Sequence, residues 1–288
     1  MKKRAWILSI IFVLSLAYFA PNFLSQFSKD LLQNHSENAQ TDLIREERKV
    51  ILNSENFVSF GTYKNEPIIW KVVSMEPDGK TLIISDKIIC FKAFDSCGEN
   101  NYYHPAEDIK KFGSSEWKEC TLNEWLNSPN QTVVYSHCSP SETSVYNGFN
   151  AYDNESGFLC ESNFSNDQKA MISDEGVFIP SKSMLKKHVK TNELKKECSD
   201  TAIIFNNSSF FITRNKSVWY WTSTAFSSNN VSVTAVTSSG TFYKTLAYDS
   251  SMGVCPALYL KTNVVLSLSG TGSKDNPYII YGGETSEQ

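Results

Sequence analysis

The sequence predicts an α+β domain carried behind an apolar N-terminal segment, on three observations. Strand-like runs from Val218 onward read as an antiparallel meander, and helix-start signals are segregated earlier in the chain, which separates α+β from alternating α/β folds. The first two dozen residues join a basic cluster to a long hydrophobic run, the pattern of an export signal or anchor.

Lys2, Lys3 and Arg4 precede a run from Ala5 to Ala20 that is interrupted only by Ser9 and Ser15. A bilayer span takes about 20 apolar residues, and roughly 17 suffice. Tyr18 before Ala20 and Pro21 after it spoil the small-residue cleavage site, so residues 1–25 read as a retained single-pass anchor in preference to a cleaved, secreted form. The basic flank places the N-terminus in the cytoplasm and the remainder outside, in a cell-membrane protein. From Gln26 to Asn56 the chain is polar, contains no glycine or proline, and spaces Leu31, Leu32, Leu43, Ile44, Val50, Ile51 and Leu52 in helical fashion, which predicts a stalk over 26–56.

A domain is expected over 57–262. Pro67–Val73 and Lys80–Ser85 read as two strands joined through Pro77-Asp78-Gly79. Thr121-Leu-Asn-Glu124 and Ser165-Asn-Asp-Gln168 carry capping-box spacing, in which a hydroxyl accepts from an orphan amide and the acidic or amide side chain reaches back. Ser181 is placed to cap a third helix running towards His188. The polar stretch 127–161 is too long for a structureless loop, so local structure or an insertion is expected there. Strands follow at Val218–Ser223, Val231–Thr237, Thr241–Leu246 and Gly253–Leu260, with Ser239-Gly240 turning the second into the third. Residues 263–288 read as a glycine-rich turn, a short apolar strand and a tail.

The net charge of -4 and a pI near 5.7 argue against a nucleic-acid partner, which requires a concentrated basic face. Seven cysteines fit an oxidising compartment. The close pairs are Cys90 with Cys97, Cys120 with Cys138, and Cys160 with Cys198; the odd number leaves one thiol free or paired with another chain, and the alternative is that all are reduced.

No recognisable chemistry emerges, so neither an enzyme nor a cofactor is expected. The four histidines lack zinc spacing. Ser115-Glu-Trp-Lys118 and Ser183-Met-Leu-Lys186 both match S-x-x-K, but no K-T-G accompanies them. Asp153-Asn-Glu-Ser-Gly157 lacks the order of a calcium loop and reads as an exposed acidic turn. Aromatic residues are more informative: in a strand, Trp219 and Trp221 share one face and Tyr220 takes the other, as core or as a stacking surface.

The motifs Phe60-Gly-Thr-Tyr63, Ile69-Trp-Lys-Val-Val73, Leu82-Ile-Ile-Ser85, Trp117 to Asn127, Phe164 to Ile172, Tyr220-Trp-Thr-Ser223 and Gly253-Val-Cys-Pro-Ala-Leu258 resemble, in their order, an uncharacterised bacterial surface domain. The closing part is similar to the C-type-lectin-like fold shared with formylglycine-generating enzymes, and Gly270 to Tyr278 resembles an ending attached to such domains. The resemblance implies a C-type-lectin-like α+β domain. Three arginines of the family pattern stand here as Asn123, Thr222 and Cys255, which cannot replace a guanidinium fork. The calcium tripeptide of sugar-binding lectins is absent from the sequence, and no metal site is expected. The expected function is non-catalytic binding of a surface protein or glycan, with Trp219, Trp221, Thr222 and Asp249 as candidate ligand residues. The alternatives are an envelope hydrolase or modifying enzyme, or a purely structural envelope component.

Overall fold

A computed structural model describes residues 52–96, 106–136, 152, 155–206, 212–262 and 270–280. They lie in one compact unit, Lys49–Gln288. The expected anchor over 1–25 lies outside the described residues, as does the stalk up to residue 51. Leu52–Asn56 forms a turn rather than a helix, and Leu52 is buried, so the domain begins a few residues earlier than expected. Among the described residues no helix is long and apolar enough to cross a membrane.

The fold is mixed α+β. Strands β1 (Phe57–Tyr63), β2 (Glu66–Met75), β3 (Thr81–Ser85) and β4 (Cys90–Phe91) come first. Short helices α1 (Glu107–Phe112), α2 (Thr121–Asn127) and α3 (Asn166–Met171) lead into β5 (Ile172–Phe178), and then follow α4 (Lys182–His188), β6 (Lys196–Glu197) and α5 (Asp200–Ile204). Strands β7 (Ser217–Val218), β8 (Tyr220–Ala225), β9 (Ser232–Val236), β10 (Phe242–Leu246), β11 (Gly253–Val254), β12 (Ala257–Leu260) and β13 (Tyr278–Ile279) complete it. One sheet has the order β13-β1-β2-β3-β12-β5, a second β10-β9-β8-β11-β4, and β6 pairs with β7.

Local chemistry explains most elements. Lys64 and Asn65 both have positive φ, which gives the β1–β2 hairpin the two-residue turn whose twist matches its strands. The β2–β3 turn closes through Glu76 N to Lys80 O at 2.8 Å around Pro77, Asp78 and Gly79, the three-residue form in which glycine takes the left-handed position. Ser165 and Gln168 make the reciprocal capping box, and Ser181 Oγ accepts from Met184 N at 3.1 Å. At α2 the cap is Cys120 rather than Thr121. The Thr121 hydroxyl instead donates to buried Asp95 at 2.9 Å.

The expected strand Gly253–Leu260 is divided between two sheets. Proline cannot donate to a ladder, and the chain crosses at Cys255-Pro256 from β11 in the second sheet to β12 in the first. Two apolar clusters result. Ile83 and Trp221 belong to one, while Leu82, Ile84 and Tyr220 belong to the other, so β3 and the first half of β8 are buried on both faces. That is why Leu82-Ile-Ile84 is continuously apolar.

Two motifs serve backbone geometry. A bulge near Gly61 (φ +67) leaves no room for a Cβ, which would lie 2.1 Å from the Phe164 ring, and Trp70 Nε1 donates to the Phe60 carbonyl at 2.7 Å. Asn127 covers the edge of β5: its amide donates to Val177 O, and its carbonyl accepts from Val177 N, each at 2.9 Å.

The disulfide expectation is corrected. Cys90, Cys120, Cys160, Cys198 and Cys255 are all free and buried, while Cys97 and Cys138 lie outside the described residues. Cys198 is held beside Ile88 by a backbone bridge in the second cluster, whereas Cys160 sits in the turn before α3 with its Sγ 3.0 Å from Ser162 Oγ. Those two are anchored in different parts of the fold. Burial pushes the Cys90 and Cys198 thiols up to about 12 and that of Cys255 to about 11, which keeps them protonated and unreactive.

Alkylation of the unfolded, unreduced protein is expected to label all five of these cysteines; a disulfide-linked peptide containing any of them would contradict the arrangement. Asn127→Ala strips both partners from the β5 edge and is expected to lower unfolding stability by about 1–3 kcal/mol, read by chemical denaturation.

Candidate functional site

Two open compartments meet where the chain leaves β3. One, of about 330 Å³, is lined by Tyr63, Ile68, Ile89, Ser199, Thr201 and Asp275 among others. The second, of about 420 Å³, is lined by Lys71, Glu193, Lys195, Lys196, Glu197 and Ser217 with a few neighbours. Asp86, Lys87 and Lys274 border both, so the two lie side by side, and together they make up the furrow.

Three distant segments build it. Ile88 N donates to Glu197 O and Ser199 N donates to Ile88 O, each at 2.9 Å, which lays Lys196 and its neighbours alongside Asp86 and Lys87. The third segment is the glycine-rich tail. Gly272 has φ +71 and faces the Tyr278 ring so closely that a Cβ would lie 2.3 Å from it. Its carbonyl accepts from Phe57 N at 2.7 Å, and β13 pairs in parallel with β1. The tail thereby holds Lys274 2.8 Å from Asp86.

The furrow is rich in ammonium groups. Lys71 pairs with Glu193 at 2.7 Å. Lys196 is only 9% exposed and donates to the Ser85 carbonyl at 3.0 Å. Burial holds its ammonium below the usual lysine range; Cys255 and Asp86 oppose that shift, while Lys274 and Lys71 add to it by repulsion. Lys87 and Lys195 have no hydrogen-bonded or ion-paired carboxylate among the described residues.

A second polar centre is closed. Lys92, 1% exposed, pairs with Glu155 and lies over the Trp125 and Tyr152 rings at 4.4 and 4.6 Å. Glu155 also accepts from Tyr63 Oη at 2.6 Å and meets Lys64 at 3.2 Å. Burial alone would raise the Glu155 carboxyl, but Lys92, Tyr63 and Lys64 together outweigh it and hold the group below the usual carboxylate range. The acidic turn expected to be exposed is thus, at Glu155, the counter-charge of a buried lysine; Asp153 and Asn154 lie outside the described residues.

Of the residues expected to bind ligand, Trp221 and Thr222 are wholly buried. Trp221 Nε1 donates to Lys92 O at 2.8 Å and Thr222 Oγ1 to Thr234 O at 2.6 Å, so both hold the core together. Asp249 is buried as well and accepts from Ser251 N and Oγ at 3.0 and 2.7 Å, which closes a turn. Trp219 is half-buried on the same side as Trp221, edge-on to Tyr243 at 5.9 Å. These four do not converge on the furrow. Neither S-x-x-K match forms a pair: Ser115 is buried, Ser183 Oγ lies 2.9 Å from Ser181 Oγ, and Lys186 lies over the Phe242 ring. Among the described residues no group of His, Cys, Asp and Glu is placed to hold a metal.

Residues 78–262, more than half of the chain, match the family model described as Domain of unknown function (DUF6273). The chain belongs to DUF6273. No curated protein and no solved structure matches it. The DUF6273 match starts inside the β2–β3 turn and ends just after β12, so β1, β2 and β13 lie outside it although they complete the same sheet. Lys71 and Lys274, which wall the furrow, also come from outside the DUF6273 match.

Lys92→Met leaves Glu155 with only the more exposed Lys64 as counter-charge and is expected to cost up to about 3–5 kcal/mol in chemical denaturation, with much of that loss recovered in Lys92→Met/Glu155→Gln. Because the folded Glu155 carboxyl titrates below its unfolded value near 4.5, its stabilisation is present above that pH and is lost as pH falls through the folded value. The Glu155→Gln variant is expected to lack this acid-side loss in a pH series of melting curves.

Proposed function

We propose that this chain is a membrane-anchored bacterial surface protein whose C-type-lectin-like domain binds a glycan in the furrow and does not catalyse a reaction on it. The furrow carries this reading. Its floor is apolar, with Ile68, Ile69 and Ile89, and its rim alternates carboxylates, hydroxyls and ammonium groups, the donors and acceptors that sugar hydroxyls need. The motif order from Phe60 to Leu258 supports the lectin-like part. Lys92 of the Lys92–Glu155 pair is buried and held by that carboxylate and two aromatic rings, so it reads as a structural charge and not as one offered to a substrate. With the described cysteines free, cysteine content no longer speaks for an oxidising compartment, and the extracytoplasmic placement rests on the basic and apolar N-terminal sequence.

Full-length protein expressed in a bacterium is expected to sediment with membranes and to lose its domain when protease is added to intact cells. Full protection, or recovery in the soluble fraction, would refute the tether. Asp275→Trp fills the mouth of the furrow from an exposed position and is expected to weaken retention on immobilised envelope polysaccharide by about tenfold or more, the scale of a lost ligand contact. Unchanged retention would reject the furrow.

A further inference from the structure

We infer that the glycan taken by the furrow is acidic, with a phosphate or carboxylate group seated among Lys71, Lys87, Lys195 and Lys196. This rests on the furrow being the glycan site proposed above.

The local charge is the first observation. The chain carries a net charge of -4, yet Lys71, Lys87, Lys195, Lys196 and Lys274 outnumber Asp86, Glu193 and Glu197 around one compartment of about 420 Å³. An acidic protein that gathers ammonium groups at one opening creates a local field favourable to anions. Two of these groups are already committed, since Lys274 is held by Asp86 and Lys71 by Glu193. Their pairing fixes the walls and leaves Lys87 and Lys195 available.

Lys196 is the second, independent observation. Nine-tenths buried, its ammonium has three donor hydrogens but meets one acceptor among the described residues, the Ser85 carbonyl. It is also repelled by Lys71 and Lys274. A buried ammonium with one acceptor, and with Asp86, itself held by Lys274, as its nearby carboxylate, is under-compensated, and an anion entering the compartment adds both charge and acceptors. Charge-assisted contacts to phosphate or carboxylate oxygens are the strong class of hydrogen bond.

The adjoining compartment identifies the rest of the ligand. Away from Lys87 and Lys274, its lining of Ser199, Thr201, Asp275 and the apolar floor suits a sugar ring with its hydroxyls. Because Asp86, Lys87 and Lys274 border both compartments, one ligand spans a charged group and a neighbouring sugar.

The test uses the full-length protein in detergent micelles and four probes: polygalacturonate, phosphomannan, neutral dextran and duplex DNA. Binding is expected to either or both acidic glycans and not to dextran, and to weaken as salt rises from low to several hundred millimolar. Binding to one acidic glycan alone tells carboxylate from phosphate recognition and supports the inference. Lys87→Glu/Lys195→Glu, the first half-buried at the furrow wall and the second exposed, is expected to lower acidic-glycan affinity by at least about tenfold, the loss expected of charge-assisted contacts, while the protein stays folded by its melting curve. Lys196→Met should lose affinity as well.

Equal, salt-insensitive binding of dextran that Asp275→Trp abolishes would overturn the acidic ligand and leave the glycan furrow standing. Acidic-glycan binding that survives Lys87→Glu/Lys195→Glu, or equal binding of duplex DNA, would also overturn the inference. No binding of any probe, with Asp275→Trp also without effect on retention by envelope polysaccharide, would remove both readings.

Discussion

Ser85 N donates to Pro256 O at 2.9 Å where the last residue of β3 meets the crossing between the sheets. On one side of Pro256, β12 runs antiparallel to β3; on the other, β11 enters the second sheet between β8 and β4. Gly253 opens β11, where a side chain would strike Ile88 at 2.8 Å, so the two sheets close tightly around the Ser85–Ile89 segment. The same junction turns Asp86 and Lys87 outward into the furrow and leaves the Ser85 carbonyl to receive Lys196. The furrow is thus a by-product of how two sheets share one chain.

The two buried lysines differ in a way that separates architecture from recognition. Lys92 is fully compensated by a carboxylate, two aromatic faces and a closed environment, the conditions under which a buried charge is tolerated. Lys196 has one carbonyl and borders the furrow, with Asp86 as well as the like charges Lys71 and Lys274 close by. A protein that needed only a core would gain little from the second arrangement.

The sequence was legible wherever structure follows from neighbours within a few residues. The Ser165–Gln168 box, the Ser181 cap, the turns at Gly79 and Gly240 and the alternation of Trp219, Tyr220 and Trp221 all appear as their local patterns imply. Thr121 failed as a cap because Asp95, far back in the chain, takes its hydroxyl. The aromatic triplet drew attention to Trp221 and Thr222, but such residues signal packing as readily as binding, and here they pack. The lysines of the furrow gave no local signal beyond the Lys195-Lys196 doublet and the glycine-rich tail around Lys274.

What the sequence alone determined is the α+β class and most strand and helix positions of the described residues, because propensity, periodicity and capping are short-range properties. Tertiary structure decided the division of Gly253–Leu260 between sheets, the free state of the described thiols, the burial of Glu155 and the furrow. Each of those depends on contacts between distant positions, such as Lys71 with Glu193, 122 residues apart, and Lys196 with Ser85, 111 apart. No local pattern records which charges folding will bring face to face, or which it will leave only partly compensated.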